Sequence, residues 1–303
     1  MNLFEYTYDI VRQIPEGKVS SYGAVAQALG DILASRAVGW MMNQNPDPDS
    51  MPCFKIVHSD GRLGGFGLGT SEKIRRLNDD HIDVIDDKIV NFSDVFFDDF
   101  TTTYPLKKLQ DEQQKISQKI SLNDNVEKIT TIAGVDVAYP EHAFDDACAA
   151  YVLQDFETLE VLEETTVFSK TFFPYIPSYL AYRELPIIKH LFSKVRQYPS
   201  VFLFDGYGIH HPRGCGLASH LGVEFDVSSI GVAKSPYINL KSEAETLRLH
   251  QSKTAHTPVY VSPGHKISMQ TSQQIVQKVS KYKNPDPLLR AHKLAKKTLH
   301  EQR

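Results

Sequence analysis

The sequence predicts an α/β protein of two domains, a small helix-turn-helix domain followed by a larger α/β domain with a mixed sheet. Three observations predict it. The 303 residues exceed what one domain ordinarily takes, at about 100–200 residues each. Residues 3–43 carry short helical periods broken at Ile14-Pro-Glu-Gly17 and at Gly30. From residue 129 onward, apolar strand-like runs come first and then alternate with helical segments, the layout of an α/β sheet. We place the domains at 1–100 and 101–303.

Taken in order, Leu3, Tyr6, Ile10, Val11 and Ile14 recur at helical spacing, and Pro15 and Gly17 break the run. Ser21 is the expected N-cap of a helix over 22–29 that Gly30 closes, and Ser35 the expected N-cap of a helix over 36–43. Two short helices around a turn containing glycine read as helix-turn-helix. A Pro/Asp-rich loop from Asn45, a short apolar strand over 53–57 and a glycine-rich loop over 61–69 follow. The acidic run between Asp79 and Asp99 reads as a solvated linker, and a polar helix over 106–120 leads into the second domain. There, strands are expected over 129–137, 147–153 and 161–168, then a helix over 178–195 and a strand over 200–204. A helix over 216–221, strands over 228–233 and 259–261, and helices over 272–282 and 288–299 complete the layout.

Composition narrows the class. A hydrophobic content of 41% and a charged content of 23% are those of ordinary globular protein. No apolar run approaches the roughly 20 residues of a membrane helix, and the N-terminus has no signal-peptide pattern. Three cysteines, odd in number and widely spaced, argue against a disulfide framework or a zinc site and for a reducing compartment. The expectation is a cytoplasmic monomer with no membrane partner. A net charge of -4 lacks the basic footprint usual for nucleic-acid binding. It is uneven, however: residues 1–100 hold 9 basic and 16 acidic side chains, and the remainder is net +3.

Three carboxylates stand out in the second domain. Asp136 ends the run Ile132-Ala-Gly-Val-Asp136, Asp205 ends Val201-Phe-Leu-Phe-Asp205, and Glu184 falls on the helix that follows Pro174-Tyr-Ile-Pro177. A single strand-end aspartate is as readily a structural cap. Three carboxylates brought together from buried elements repel, at a cost of several kcal/mol each unless compensated, on the order given for buried ions. A divalent cation removes that cost, and oxygen-only ligands favour Mg²⁺ or Mn²⁺ over zinc. The pattern points to metal-dependent phosphoryl transfer.

The same segments carry a resemblance. Gly134-Val-Asp-Val-Ala-Tyr139, Pro174-Tyr-Ile-Pro177 with Tyr182-Arg-Glu184, Asp205-Gly-Tyr-Gly-Ile-His-His-Pro-Arg213, Gly216-Leu-Ala-Ser-His220, Gly231-Val-Ala-Lys234 and Pro285-Asp-Pro-Leu-Leu-Arg-Ala-His292 follow one another as in endonuclease V, which residues 104–303 resemble. The resemblance implies a ribonuclease-H-like fold and Mg²⁺-dependent (or Mn²⁺-dependent) cleavage of double-stranded DNA carrying deoxyinosine, at the second phosphodiester 3′ to the lesion. It implies Asp136, Glu184, Asp205 and His292 as metal ligands, the last directly or through water. Lys234 would stabilise phosphate charge and His211 would lie near the scissile phosphate. Tyr175 would serve as a strand-separating wedge, and Gly208 would let the extruded base approach backbone. Taken alone, His292 reads as a helix-surface histidine, Lys234 as a solvated strand-end lysine, and Cys148 and Cys215 as packing residues. Metal ligation does not separate DNA from inosine-containing RNA, which stays open as a substrate.

In the first domain, Ile14-Pro-Glu-Gly-Lys-Val-Ser-Ser-Tyr-Gly23, Arg36-Ala-Val-Gly39, Asn45-Pro46, Pro52-Cys53 and the glycines from 61 to 69 resemble the C-terminal domain of O6-alkylguanine-DNA alkyltransferase. The resemblance spans about residues 3–80. It implies minor-groove binding to DNA carrying O6-alkylguanine, with Cys53 accepting the alkyl group irreversibly. Arg36 would fill the gap left by the flipped base, Tyr22 would assist its rotation, and Asn45 would support the active-site turn. The family's Pro-Cys-His-Arg is here Pro52-Cys-Phe-Lys55, which removes the histidine that makes the thiolate, and Ile74 stands near the place of the orienting glutamate. Lys55 is the expected partial substitute. Lesion binding without transfer remains the alternative.

Overall fold

A computed structural model describes residues 1–140, 146–235, 246–248, 258–280 and 284–302. The chain divides into two compact units, Met1–Gln110 with Phe172–Pro177, and Asp111–Thr171 with Ser178–Arg303.

The first unit opens with α1 (Leu3–Val11), whose buried Leu3, Ile10 and Val11 fall on one face. Strand β1 (Ser20–Ser21) pairs in parallel with β2 (Ile56–Val57). Ser21 caps α2 (Tyr22–Leu29) by accepting the Ala24 N–H at 3.0 Å, and Gly30 ends it in the left-handed region at φ 106°. In α3 (Ser35–Asn43), Ser35 is the first residue and not the cap: its hydroxyl donates to Ile32 O at 2.6 Å. A 3₁₀ turn, Ile32–Ala34, intervenes, and Asp31 caps that instead by accepting the Leu33 N–H at 2.9 Å.

This unit also holds one helix that no sequence pattern marks, and it corrects one further expectation. The helix α4 (Thr70–Asp79) carries no apolar period; only Lys73 and Leu77 are buried. Ion pairs from Arg75 to Glu72 and Asp79 and from Arg76 to Glu72 brace its polar face. The acidic run is no solvated linker. It forms a hairpin of β3 (Val84–Ile85) and β4 (Lys88–Ile89) and a short helix α5 (Phe92–Val95). Its apolar residues are spaced among the acids, so Ile82 and Ile89 join Val19, Val57 and Leu77 in a core while Asp83, Asp86, Asp87 and Asp94 remain exposed and Asp80 pairs with Lys55.

Helix α6 (Pro105–Ser117) leads into the second unit, whose sheet is mixed and seven-stranded. Its strands are β5 (Thr131–Ala138), β6 (Asp146–Asp155), β7 (Val161–Lys170), β8 (Val201–Asp205), β9 (Ser229–Ala233), β10 (Thr246–Arg248) and β11 (Pro258–His265), in the order β10-β11-β9-β8-β5-β6-β7. The central β5, β8 and β9 run parallel and the other pairings are antiparallel. Alternation along β8 sends Phe202 and Phe204 to one face and Val201 and Leu203 to the other. The first face packs α7 (Leu180–Phe192) and α8 (Leu217–Phe225); the second packs α9 (Met269–Lys278) and α10 (Asp286–Glu301). The helix expected over 272–282 therefore ends at Lys278, and its last two positions lie outside the described residues. Among the described residues no helix is long and apolar enough to cross a membrane.

Candidate active sites

Parallel strands deliver their C-terminal ends to one edge of a sheet, where α/β proteins commonly bind ligands. Here β5 and β8 are neighbours in register Val135↔Phe204, so Asp136 and Asp205 emerge side by side. Lys234 follows the last residue of the next strand, β9. Glu184 reaches in from α7 and is buried. From the other face α10 contributes His292. Its N-terminal turn comes so close to β5 that a Cβ on Gly134 would lie 2.3 Å from the Pro287 carbonyl carbon. Only glycine permits that approach, and it brings His292 Nδ1 to 2.8 Å from Asp136 Oδ2.

The charges of this cluster are unevenly balanced. Lys234 Nζ lies 2.5 Å from Asp205 Oδ2. Burial pushes the Asp136 carboxyl above its ordinary range, and the neighbouring Asp205 charge adds to it, against His292 and Lys234. Burial also drives Glu184 well upward, with Asp136 and Asp205 contributing in the same direction. For Lys234, partial burial pulls downward, but the hydrogen bond and charge of Asp205 and the Asp136 charge outweigh it and the net shift is upward. An open cleft over these residues is lined by Asp205, Lys234, Asn284, Pro285, Leu288 and His292. Asn284, just before the Pro285-Asp-Pro287 run, has no motif to mark it beforehand.

Two carboxyls held above their ordinary range beside a third are what a cation would relieve, and the donors suit a hard divalent ion in kind. Asp205 is partnered by Lys234 and Asp136 by His292, and among the described residues no group of three His, Cys, Asp or Glu side chains is already arranged to hold a metal. The donor chemistry fits Mg²⁺ or Mn²⁺; the cluster is electrostatically prepared but not closed.

Gly208 and His211 stand outside the cluster, and Tyr175 falls in the segment Phe172–Pro177 of the first unit. Tyr175 is 63% exposed on the loop before α7. Gly208 is backbone-engaged: its N–H donates to Ser262 Oγ at 3.0 Å, its carbonyl accepts from Gly216, and a Cβ there would meet Pro263 O at 2.0 Å. Ser262 Oγ also accepts the His210 N–H at 3.0 Å, so this serine anchors the loop after Asp205. His211 is buried against Ser178 and Arg213 rather than among the carboxylates.

In the first unit Cys53 is buried on a 3₁₀ turn, Cys53–Lys55, that precedes β2, and not on a strand. Asn45 Nδ2 donates to its sulfur at 3.3 Å. Burial pushes the thiol above its ordinary value; the Asn45 hydrogen bond and the charges of Lys73 and Arg76 pull the other way. Tyr22 lies within electrostatic reach, its hydroxyl raised by burial and by the Cys53 charge. Arg36 is solvent-exposed on α3. Phe54, where the family has its histidine, packs on the core of Val19, Val57 and Leu77.

Lys55 does not serve the thiol. Its ammonium meets Asp80 Oδ2 at 2.7 Å and donates to Pro15 O at 2.8 Å. With about three residues per 3₁₀ turn, the side chain two positions on leaves on another side of the turn. The cations whose charge bears on Cys53 are Lys73 and Arg76 of α4; Lys73 is fully buried, with Nζ donating to Ile56 O at 2.6 Å and Gly64 O at 3.2 Å. Burial lowers it to about 8, against the Cys53 charge. Nothing in the sequence distinguishes this lysine from its solvated neighbours.

A model of the endonuclease V family matches residues 114–293, and one for the DNA-binding domain of 6-O-methylguanine DNA methyltransferase matches residues 2–82. Across 294 residues, 96% of this chain and 95% of the other, the protein is 38% identical to a bifunctional methyltransferase/endonuclease of Picrophilus torridus. It is 38% identical to the endonuclease V of Dictyoglomus thermophilum over 204 residues, 62% of this chain and 88% of that one. Among solved structures, Ciona intestinalis endonuclease V in complex with a 24mer DNA containing an inosine followed by a ribo-adenosine is 27% identical. It covers 65% of this chain and 99% of its own, with a TM-score of 0.59. The larger unit thus has the ribonuclease-H-like α/β fold that the motifs implied.

Proposed function

The chain belongs to the endonuclease V family and, along nearly its whole length, to the bifunctional methyltransferase/endonucleases, and from that premise we propose two repair reactions, one for each unit. The larger unit cleaves double-stranded DNA carrying deoxyinosine, at the second phosphodiester 3′ to the lesion. The smaller unit transfers an alkyl group from O6-alkylguanine to Cys53.

The observation that carries the nuclease reading is the meeting of Asp136, Glu184 and Asp205 with Lys234 and His292 at the ends of parallel strands. When bound there, Mg²⁺ or Mn²⁺ supplies an activated water and Lewis-acid stabilisation of phosphoryl charge. Asp136, Glu184 and Asp205 are its holders in this reading, with His292 beside Asp136. Lys234, already on Asp205, is placed to take up charge on a phosphate in the same cleft. The exposed Tyr175 suits a wedge between base steps, which eases extrusion of a poorly paired base.

For transfer, Cys53 gives up its proton and its sulfur attacks the alkyl carbon on O6. The S–C bond forms as the C–O6 bond breaks, and the electron pair stays with guanine, which takes up a proton. Each protein acts once. Asn45 and Lys73 favour the thiolate against burial. One observation favours a second reading, lesion binding without transfer: Phe54 is a core residue and supplies no base.

A labelled deoxyinosine duplex tests the nuclease reading. Cleavage should require added Mg²⁺ or Mn²⁺ and vanish in Asp205→Ala with inosine binding largely kept. Full cleavage in excess chelator would contradict it.

A further inference from the structure

Tyr139 follows the last residue of β5 and stands three positions after Asp136. Alternation along β5 separates the two. Ala133, Val135 and Val137 belong to the face that packs α7 and α8, and Tyr139 packs against that same core. Asp136 has the parity of Ile132, on the face of α9 and α10, and meets His292 there. Tyr139 therefore lies on the side of the sheet from which Glu184 of α7 reaches the carboxylates.

The ring of Tyr139 is covered and its hydroxyl is not satisfied. The Arg183 guanidinium sits 4.0 Å from the centre of the ring, within range of a cation–π contact. The hydroxyl oxygen is buried beside the Glu184 carboxyl and Arg183, yet it makes no hydrogen bond of good geometry among the described residues. A buried hydroxyl without a partner is costly, and native proteins keep few of them. Phenylalanine would fill the same space without that cost. Burial, and then the Glu184 charge, hold the phenol well above its ordinary value, so its oxygen carries a proton to donate. Within the cluster Lys234 is bonded to Asp205 and His292 to Asp136. An unengaged donor thus stands beside the carboxyl that those two side chains leave unbonded.

We propose that Tyr139 is a positioning residue for the nuclease: when a divalent cation draws Glu184 into the cluster, the phenol O–H donates to the Glu184 carboxylate and fixes it as a ligand. This rests on the metal-dependent nuclease reading. A hydrogen bond to a ligating carboxylate orients it, and losing such a bond commonly weakens metal binding by about 10–100-fold. The hydroxyl is satisfied only in the loaded site, and the metal-free protein carries the cost of keeping it.

The test compares wild type with Tyr139→Phe in the full chain, with Mn²⁺ binding followed by electron paramagnetic resonance of the free ion. The tight site is the one that Asp205→Ala removes. Tyr139→Phe should weaken that site about tenfold. Its metal-free denaturation midpoint should equal that of wild type or exceed it, because the hydroxyl has no bond to lose; the same measurement shows that the variant folds. Cleavage of a deoxyinosine duplex should need about tenfold more Mg²⁺, with kcat at saturating Mg²⁺ within about threefold of wild type. A lower metal-free midpoint overturns the proposal, because the hydroxyl is then a structural bond. A loss of kcat that excess Mg²⁺ does not restore also overturns it, because the hydroxyl then acts at the reacting atoms. A wild-type protein without a tight Mn²⁺ site overturns the metal reading and the proposal together, whereas a tight site that Tyr139→Phe leaves intact overturns the proposal alone.

Discussion

His292 Nδ1 and Asp136 Oδ2, 156 positions apart in the chain, meet at 2.8 Å, and Gly134 makes the meeting possible. Two residues before Asp136, its bare Cα lets the first turn of α10 settle on β5. The cluster of charges is thus a consequence of how closely a helix can approach a strand.

Gly134→Val should therefore push α10 off the sheet. The expected outcome is a stability loss of about 1–3 kcal/mol, the range for overpacked sites, with nuclease activity falling further than alkyl transfer. Denaturant unfolding alongside both activity assays checks it. A stable variant with full nuclease activity would show that the contact is slack.

Alkyl transfer should rise with pH. Burial holds the Cys53 thiol above its ordinary value, so thiolate is scarce at neutral pH and grows roughly tenfold per pH unit below that pKa. Lys73, lowered to about 8, loses its charge as pH passes that value, so the climb should flatten there. Lys73→Met should slow transfer most below pH 8 and little above it. Methylation of Cys53 followed by peptide mass across pH 6 to 9 measures this; a flat profile would contradict the assignment.

Lys55→Ala should act on stability and not on the thiol. Both partners of the Lys55–Asp80 pair are largely buried, and removing one strands the other at a cost of about 3–5 kcal/mol. The pH profile of transfer at low temperature should keep its shape. A shift of that profile in Lys55→Ala would restore Lys55 as a helper of Cys53.

What was legible beforehand follows from what sequence patterns encode. Asp205 could be read because it closes an apolar strand, Asp136 because it is the one charged residue near the end of another, and Glu184 because its helix follows a rigid Pro-x-x-Pro turn. The acidic hairpin was misread because charge count hides alternation: Ile82, Val84 and Ile89 are spaced between the aspartates. Helix α4 escaped because it buries only a lysine and a leucine. Lys73 and Lys55 were beyond reach, since which lysine faces a thiol depends on a 3₁₀ turn that leaves no mark in composition.

The central claim is that one chain performs two separable repair reactions. The most direct measurement incubates the protein, with Mg²⁺, with one duplex carrying deoxyinosine and a second carrying O6-methylguanine with a labelled methyl group. Strand cleavage is scored on the first duplex and label on protein from the second. Wild type should cut the first duplex and carry a single methyl group on Cys53; Cys53→Ala should lose only the label and Asp205→Ala only the cleavage. A wild-type protein that binds the methylated duplex while Cys53 stays unmodified, or whose cleavage survives Asp205→Ala, would contradict the account.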